Sequence, residues 1–114
     1  ERHELIDASL NDSNIPIDNI KIESFNNLLV DFAKQHNCNI IIRGLRAISD
    51  FEYEFQMSCT NSLLNSEIQT LFLPSSNNMH FISSKFVKQL ASHNASLADM
   101  VTESVATSLN KKFQ

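Results

Sequence analysis

The chain is poor in the residues that punctuate and staple proteins. Its 114 residues include one glycine (Gly44), two prolines (Pro16 and Pro74) and two cysteines (Cys38 and Cys59). A single glycine excludes a glycine-rich phosphate loop of the Walker or dinucleotide type. It also suggests that the position of Gly44 requires it. Two cysteines in apolar-looking segments make no disulfide framework and read as reduced core residues. No apolar run approaches the ~20 residues of a membrane helix, and no secretory leader of the charged, apolar, small-residue type is present. A soluble, cytoplasmic protein without a membrane partner is expected. Positive charge is also short, 9 basic residues against 13 acidic ones, for a net charge of −4. That argues against a general nucleic-acid binder, yet a few local charges would suffice for a small anion. His3, His36, His80 and His93 are scattered, with no metal-like spacing to cysteine or carboxylate, so no protein-built metal cage is expected.

What the chain does have is apolar content and alternation of pattern. Hydrophobic residues make up 42%, enough for a core, and the length suits one domain spanning residues 1–114. The chain opens within a helix-like stretch, Glu1 to Ile6, without a capping residue. This reads as an N-terminally incomplete domain. Ile15, Ile17, Ile20 and Ile22 alternate with polar residues, which predicts a strand in the second half of the stretch 15–24. Phe25, Leu28, Leu29, Phe32 and Ala33 follow helical spacing, with Ser24 or Asn26 as a candidate cap. The run from Cys38 to Ile42 reads as a buried parallel strand. Ser49 and Glu52 look like a capping box, with Ile48 and Tyr53 as its staple, at the start of a helix running on to Leu64. Ile68 to Leu73 predicts another strand, closed by Pro74. Ser83 or Ser84, and then Thr102, cap two final helices. The order implies right-handed βαβ units and a parallel α/β sheet with helices on both faces. Three strands are few for such a sheet, so a first βαβ portion is expected to be missing upstream.

Ligands of open parallel sheets bind beyond the carboxyl ends of the strands. One such place holds Arg43-Gly44-Leu45-Arg46. Two arginines there can fork onto phosphate oxygens, and Gly44 allows a sharp turn or a close backbone approach. Taken alone, the pair could equally be surface arginines. The other place ends in His80-Phe81-Ile82-Ser83-Ser84, where hydroxyls and free N–H groups at a helix start suit an anion, although plain capping by Ser83 also accounts for them. Glu54 has no structural explanation in the pattern and could accept a hydrogen bond from a sugar or base, or help hold a cation.

The run from Ile42 to Gln56, Ile-Arg-Gly-Leu-Arg-Ala-Ile-Ser-Asp-Phe-Glu-Tyr-Glu-Phe-Gln, resembles the signature stretch of bacterial phosphopantetheine adenylyltransferases. Phe81-Ile82-Ser83-Ser84 resembles a second motif of that family, and the stretch from Leu28 to Ala33 a third. The resemblance covers essentially the whole chain, in order and with similar spacing. It implies a Rossmann-like nucleotidyltransferase fold, usually assembled as a homo-hexamer. It also implies reversible transfer of AMP from Mg-ATP to 4′-phosphopantetheine, with Mg²⁺ resting mainly on phosphates and water. By position, Arg43 matches the residue that holds the pantetheine phosphate, and Leu29 one that lines the pantetheine arm. Gly44, Leu45, Arg46 and Glu54 match the ATP site. So does the loop Met79, His80, Phe81, Ile82, Ser83, Ser84 and Lys85. Lys85 stands where the family commonly has a serine, and Asn27 where it often has Gly or Asp. The family's Gly-His motif, whose histidine stabilises the transition state, is absent, so no catalytic residue is expected within residues 1–114. The 114 residues alone are expected to be inactive. A non-catalytic nucleotide-binding α/β module, or a subunit serving only assembly, would explain some of the same residues.

Overall fold

In the computed structural model, which describes residues 1–76 and 78–113, the chain forms two compact units. One is Phe25–Phe81; the other joins Glu1–Ser24 to Ile82–Gln114. The first unit holds α2 (Leu29–Gln35), β1 (Ile40–Leu45), α3 (Ile48–Leu64) and β2 (Gln69–Pro74), and the second holds α1 (Arg2–Asp12), α4 (Ser84–Ser92) and α5 (Glu103–Phe113).

In the α/β unit, β1 and β2 pair in parallel, from Ile40 opposite Gln69 to Leu45 opposite Pro74. The isoleucine run of β1 favours the pleated backbone. Parallel neighbours require a crossover, and α3 supplies it with 17 residues. Because side chains alternate along a strand, Ile41, Arg43 and Leu45 share one face with Thr70 and Phe72. These residues are all half-buried, whereas Ile40, Ile42, Leu71 and Leu73 on the opposite face are exposed. The helical side carries the core, in which Val30 and Ala33 of α2 meet Ile68, with Ile41 packed against them. Phe51 of α3 meets Phe72 of β2 edge-on at 6.0 Å between ring centroids.

The helical unit is built on Val87, Ala91 and Leu97, surrounded by Ile82, Leu90, Met100, Val101, Ala106 and Leu109. α1 and α5 are tied by polar contacts. Ser9 and Thr102 share a hydroxyl–hydroxyl bond of 2.8 Å, and the Ser104 amide donates to the Asp12 carboxylate at 2.9 Å. That bond satisfies an orphan N–H in the first turn of α5.

Several sequence-based expectations change. The stretch 15–24 forms no strand. Its unit contains only helices among its regular elements, so an alternating pattern there finds no ladder to join. A turn bond from the Ile20 amide to the Ile17 carbonyl (2.9 Å) and a contact from His3 Nε2 to the Ile22 carbonyl (3.0 Å) take its place. α2 starts at Leu29, later than its apolar stripe suggests, with Leu28 as N-cap and no side-chain cap; neither Ser24 nor Asn26 caps it. Phe25 instead stacks on Phe32 at 4.5 Å. Cys38 and Cys59 are free, as expected, but exposed and not in the core. Cys38 lies in the turn after α2, and Cys59 is on the open side of α3.

The scarcity of glycine has a structural counterpart. Asn14, Asn37 and Asn94 alone among the described residues have positive φ, at 51°, 53° and 57°. Each sits just beyond a helix end. After α2, the Cys38 amide reaches the Ala33 carbonyl (2.8 Å) and the Asn37 amide the Lys34 carbonyl (3.1 Å). After α1 and α4 the same pair of bonds recurs, Ile15 to Leu10 with Asn14 to Asn11, and Ala95 to Leu90 with Asn94 to Ala91. These are three Schellman motifs with asparagine in the place glycine usually takes. Asn37→Ala is therefore expected to destabilise the protein by about 1 kcal/mol, through the left-handed conformation a β-carbon disfavours. Asn37→Gly should leave stability unchanged or raise it, and urea unfolding of the two variants measures both.

Candidate functional site

The carboxyl end of β1 and the first turns of α3 bring the charged residues of the α/β unit together. Strand alternation puts Arg43 on the helix-covered face. There its Nε donates to Glu54 Oε2 at 2.7 Å and its Nη2 donates to Oε1 at 2.7 Å. This is a two-pronged guanidinium–carboxylate fork. Three residues on, Arg46 makes a similar fork with Asp50, with Nε to Oδ2 at 3.0 Å and Nη2 to Oδ1 at 3.3 Å. The Arg46 amide adds a bond of 3.2 Å to the same Asp50 Oδ2. Asp50 and Glu54 are four residues apart and share one side of α3. The strand exit therefore presents two arginines, each gripped by a carboxylate from the crossover helix.

This arrangement replaces the expected capping box. α3 begins at Ile48 with Ala47 as N-cap, and no side chain caps it. Ser49 lies inside the first turn, beyond the cap position. Ile48 is 88% exposed and Tyr53 64%, so they form no staple. Asp50 is the first-turn acid, and its charge there also suits the positive end of the helix.

Both carboxylates are held below their ordinary range. For Glu54 the main cause is the side-chain hydrogen bond from Arg43, opposed by desolvation and helped by the charge of Arg43. For Asp50 it is the side-chain hydrogen bond from Arg46, again opposed by desolvation. Arg43 is correspondingly pushed up by the bond to Glu54. The Arg43 side chain is 40% exposed and that of Glu54 11%. With one partner so open to solvent, the pair contributes on the order of 1 kcal/mol or less to stability. Its value is geometric.

Gly44 lies within β1 and not at a turn. It has no positive φ, and a β-carbon added there would meet nothing within 4 Å among the described residues. The sharp-turn explanation is thus excluded, and the chain's own packing does not demand a glycine. Leu45 is half-buried beside it on the helical face, and Leu29 is half-buried at the first position of α2. Met79, His80 and Phe81 form an exposed turn at the end of the α/β unit.

The remaining motif residues belong to the helical unit. Ile82 packs against its core. Ser83 is the N-cap of α4, its Oγ accepting the Phe86 amide at 3.2 Å, so the capping role read from the sequence is present. Ser84 opens the helix and lines a cleft of about 660 Å³ in that unit together with Lys88, Arg2 and Lys112. Lys85 is exposed on the first turn of α4. Sequence reasoning missed the part Asp50 plays. Its i, i+4 spacing from Arg46 was the available signal. The Arg43–Glu54 fork, 11 residues apart across strand, turn and helix, had none.

A family model described as cytidylyltransferase-like matches residues 1–90. Among curated proteins, the chain is 45% identical over 113 residues to the phosphopantetheine adenylyltransferase of Staphylococcus carnosus (strain TM300). The match covers 99% of this chain and 68% of that protein.

The forks set a pH dependence. A depressed carboxylate contributes fully above its unfolded value, about 4.3 for glutamate and 3.9 for aspartate, and loses that contribution as pH falls through its lower folded value. Side-chain carboxyl ¹³C NMR should therefore find Glu54 and Asp50 titrating below those values. Arg43→Ala should bring Glu54 back up and leave Asp50 low.

Proposed function

The chain belongs to the phosphopantetheine adenylyltransferases of the cytidylyltransferase-like family, which makes it a nucleotidyltransferase, and from that premise we propose that it takes part in reversible transfer of the adenylyl group of ATP to 4′-phosphopantetheine, giving dephospho-coenzyme A and pyrophosphate. The single observation that carries the proposal is the pair of pre-formed arginine forks at the carboxyl end of β1, where a parallel sheet binds its ligands.

Arg43 receives the phosphate of the acceptor, and Leu29 lines the pantetheine arm. Arg46, with the backbone at Gly44 and Leu45, meets the phosphates of ATP. The open space over Gly44 supports a close backbone approach there, which a β-carbon would obstruct. The resemblance also gives Met79 to Lys85 to ATP, and within the helical unit the hydroxyl of Ser84 and the first-turn amides of α4 are suited to anionic oxygen. No residue of the chain becomes covalently attached. An acceptor phosphate oxygen attacks the α-phosphorus in line, its bond to pyrophosphate breaks, and the protein acts by positioning and by stabilising charge.

Among the described residues no group of three or more histidine, cysteine or carboxylate side chains gathers to hold a metal, and Asp50 and Glu54 are engaged by arginines. We assign no residue of this chain to Mg²⁺, which would enter as part of Mg-ATP, held by phosphate oxygens and water. The only glycine is followed by leucine, so a Gly-His motif does not occur in residues 1–114. Binding without turnover is proposed for these residues by themselves. The whole enzyme is proposed to be a cytoplasmic homo-hexamer, which light scattering and fractionation measure.

The test is pyrophosphate release from ATP that depends on 4′-phosphopantetheine, with the protein at its natural length and the 114-residue chain as control. Release by the former alone is expected. Binding of ATP without release by either would establish a binding module instead. Arg43→Ala should raise KM for 4′-phosphopantetheine roughly 10- to 100-fold, the loss of one charged hydrogen-bonding partner. Gly44→Ala should leave unfolding stability within about 0.5 kcal/mol while raising KM for ATP.

A further inference from the structure

We propose that the cleft of the helical unit is a docking groove for this protein's own polypeptide: the stretch of the natural-length chain joined to Glu1, which lays an apolar side chain on the cleft floor. The docking does not depend on how the arginine forks are read.

The cleft has a volume of about 660 Å³ and is lined from α1, α4 and α5. Its floor is aliphatic, with Leu5 of α1, Val87 of α4, and Val105 and Leu109 of α5. Val87 is buried, whereas Leu5, Val105 and Leu109 keep part of their surface open. Another apolar group laid on that surface removes it from water, which is favourable. The rim is basic. Arg2, Lys88 and Lys112 come from the same three helices, and Glu1 is the one carboxylate among the described lining residues. An aliphatic floor under a basic rim matches an occupant that is apolar, with an acidic group beside it.

Two observations favour the protein's own chain as that occupant. Glu1 stands on the rim, with its Oε1 at 3.5 Å from Lys112 Nζ. A residue joined to its nitrogen therefore starts at the cleft with no distance to cross, and a tethered group meets its seat at a high effective concentration. The adenylyltransferase of Staphylococcus carnosus is also longer than this chain. The 113 matching residues are 68% of it, which leaves roughly 50 of its residues without a counterpart here.

Ser84 borders the same cleft. On the reading that gives Ser84 to the ATP site, the docked stretch stands beside the nucleotide. The three helices then act as the seat that holds it there.

The experiment is methyl NOE spectroscopy on the unmutated natural-length protein, with leucine and valine methyls labelled. Leu5, Val105 and Leu109 are expected to show cross-peaks to residues that precede Glu1. Cross-peaks confined to residues 1–114 would overturn the inference. So would cross-peaks that appear only in an isotope-filtered spectrum of mixed labelled and unlabelled chains, because the occupant would then be a second copy. Titration with anilinonaphthalene sulfonate, an anionic apolar molecule, reads whether the cleft is open. The cleft methyls of the natural-length protein should not shift, and saturable shifts would make the cleft a small-ligand site instead. Lys88→Glu should speed amide exchange in the docked stretch roughly 10-fold while α1 and α5 stay protected, as expected for a locally loosened segment. Unchanged exchange would overturn the part given to the basic rim. The NOE measurement needs no variant, so it decides even if Lys88→Glu does not fold. It does not read pyrophosphate release either, so failure of the proposed activity and failure of the docking are told apart.

Discussion

Two neighbouring strands that run in the same direction cannot be closed by a tight turn, and this constraint organises the α/β unit. The chain must travel from the end of β1 back to the start of β2, and it does so through α3. The helix therefore starts where β1 stops, with its first turns beside the strand exit. Everything chemical in the unit follows from that placement. Arg43 and Arg46 lie at the exit, Asp50 and Glu54 lie on the opening turns of the crossover, and the forks form because the topology leaves these side chains facing each other.

The forks matter less as stability than as order. One arginine of the first pair is well exposed, and solvent screening makes such a pair weak. Stability in this unit comes from Val30, Ala33, Ile68 and Ile41, and from Phe51 against Phe72. That division means that the core does not rely on the ionic groups, which fits the ligand-binding role proposed for the arginines. It also explains why Gly44 is conspicuous. A strand position with open space around it among the described residues and no positive φ needs no glycine for folding, which supports the close ligand approach proposed there.

The helix ends of both units show another economy. With glycine absent from every helix terminus, asparagine takes the left-handed position after α1, α2 and α4. Asparagine tolerates that conformation because its short polar side chain can bond locally. The paired 6→1 and 5→2 bonds then satisfy the last carbonyls of each helix.

Periodicity and turn chemistry determined much by themselves. The apolar runs around Ile40–Ile42 and Ile68–Leu73, the long helix between them, the Ser83 cap and the parallel α/β class were legible because each rests on local spacing. The run Ile42–Gln56 carried the family. Patterns failed where a neighbour decides the outcome. The alternating isoleucines of residues 15–24 form no strand, because a strand exists only with a ladder beside it. Ser49 and Glu52 had the spacing of a capping box, yet the helix began two residues too early for it. Cys38 and Cys59 sit among apolar residues in sequence but face outward in space. The pairing of Arg43 with Glu54 was decided only by the tertiary structure, since contact between a strand exit and a helix turn 11 residues away depends on where the crossover folds back.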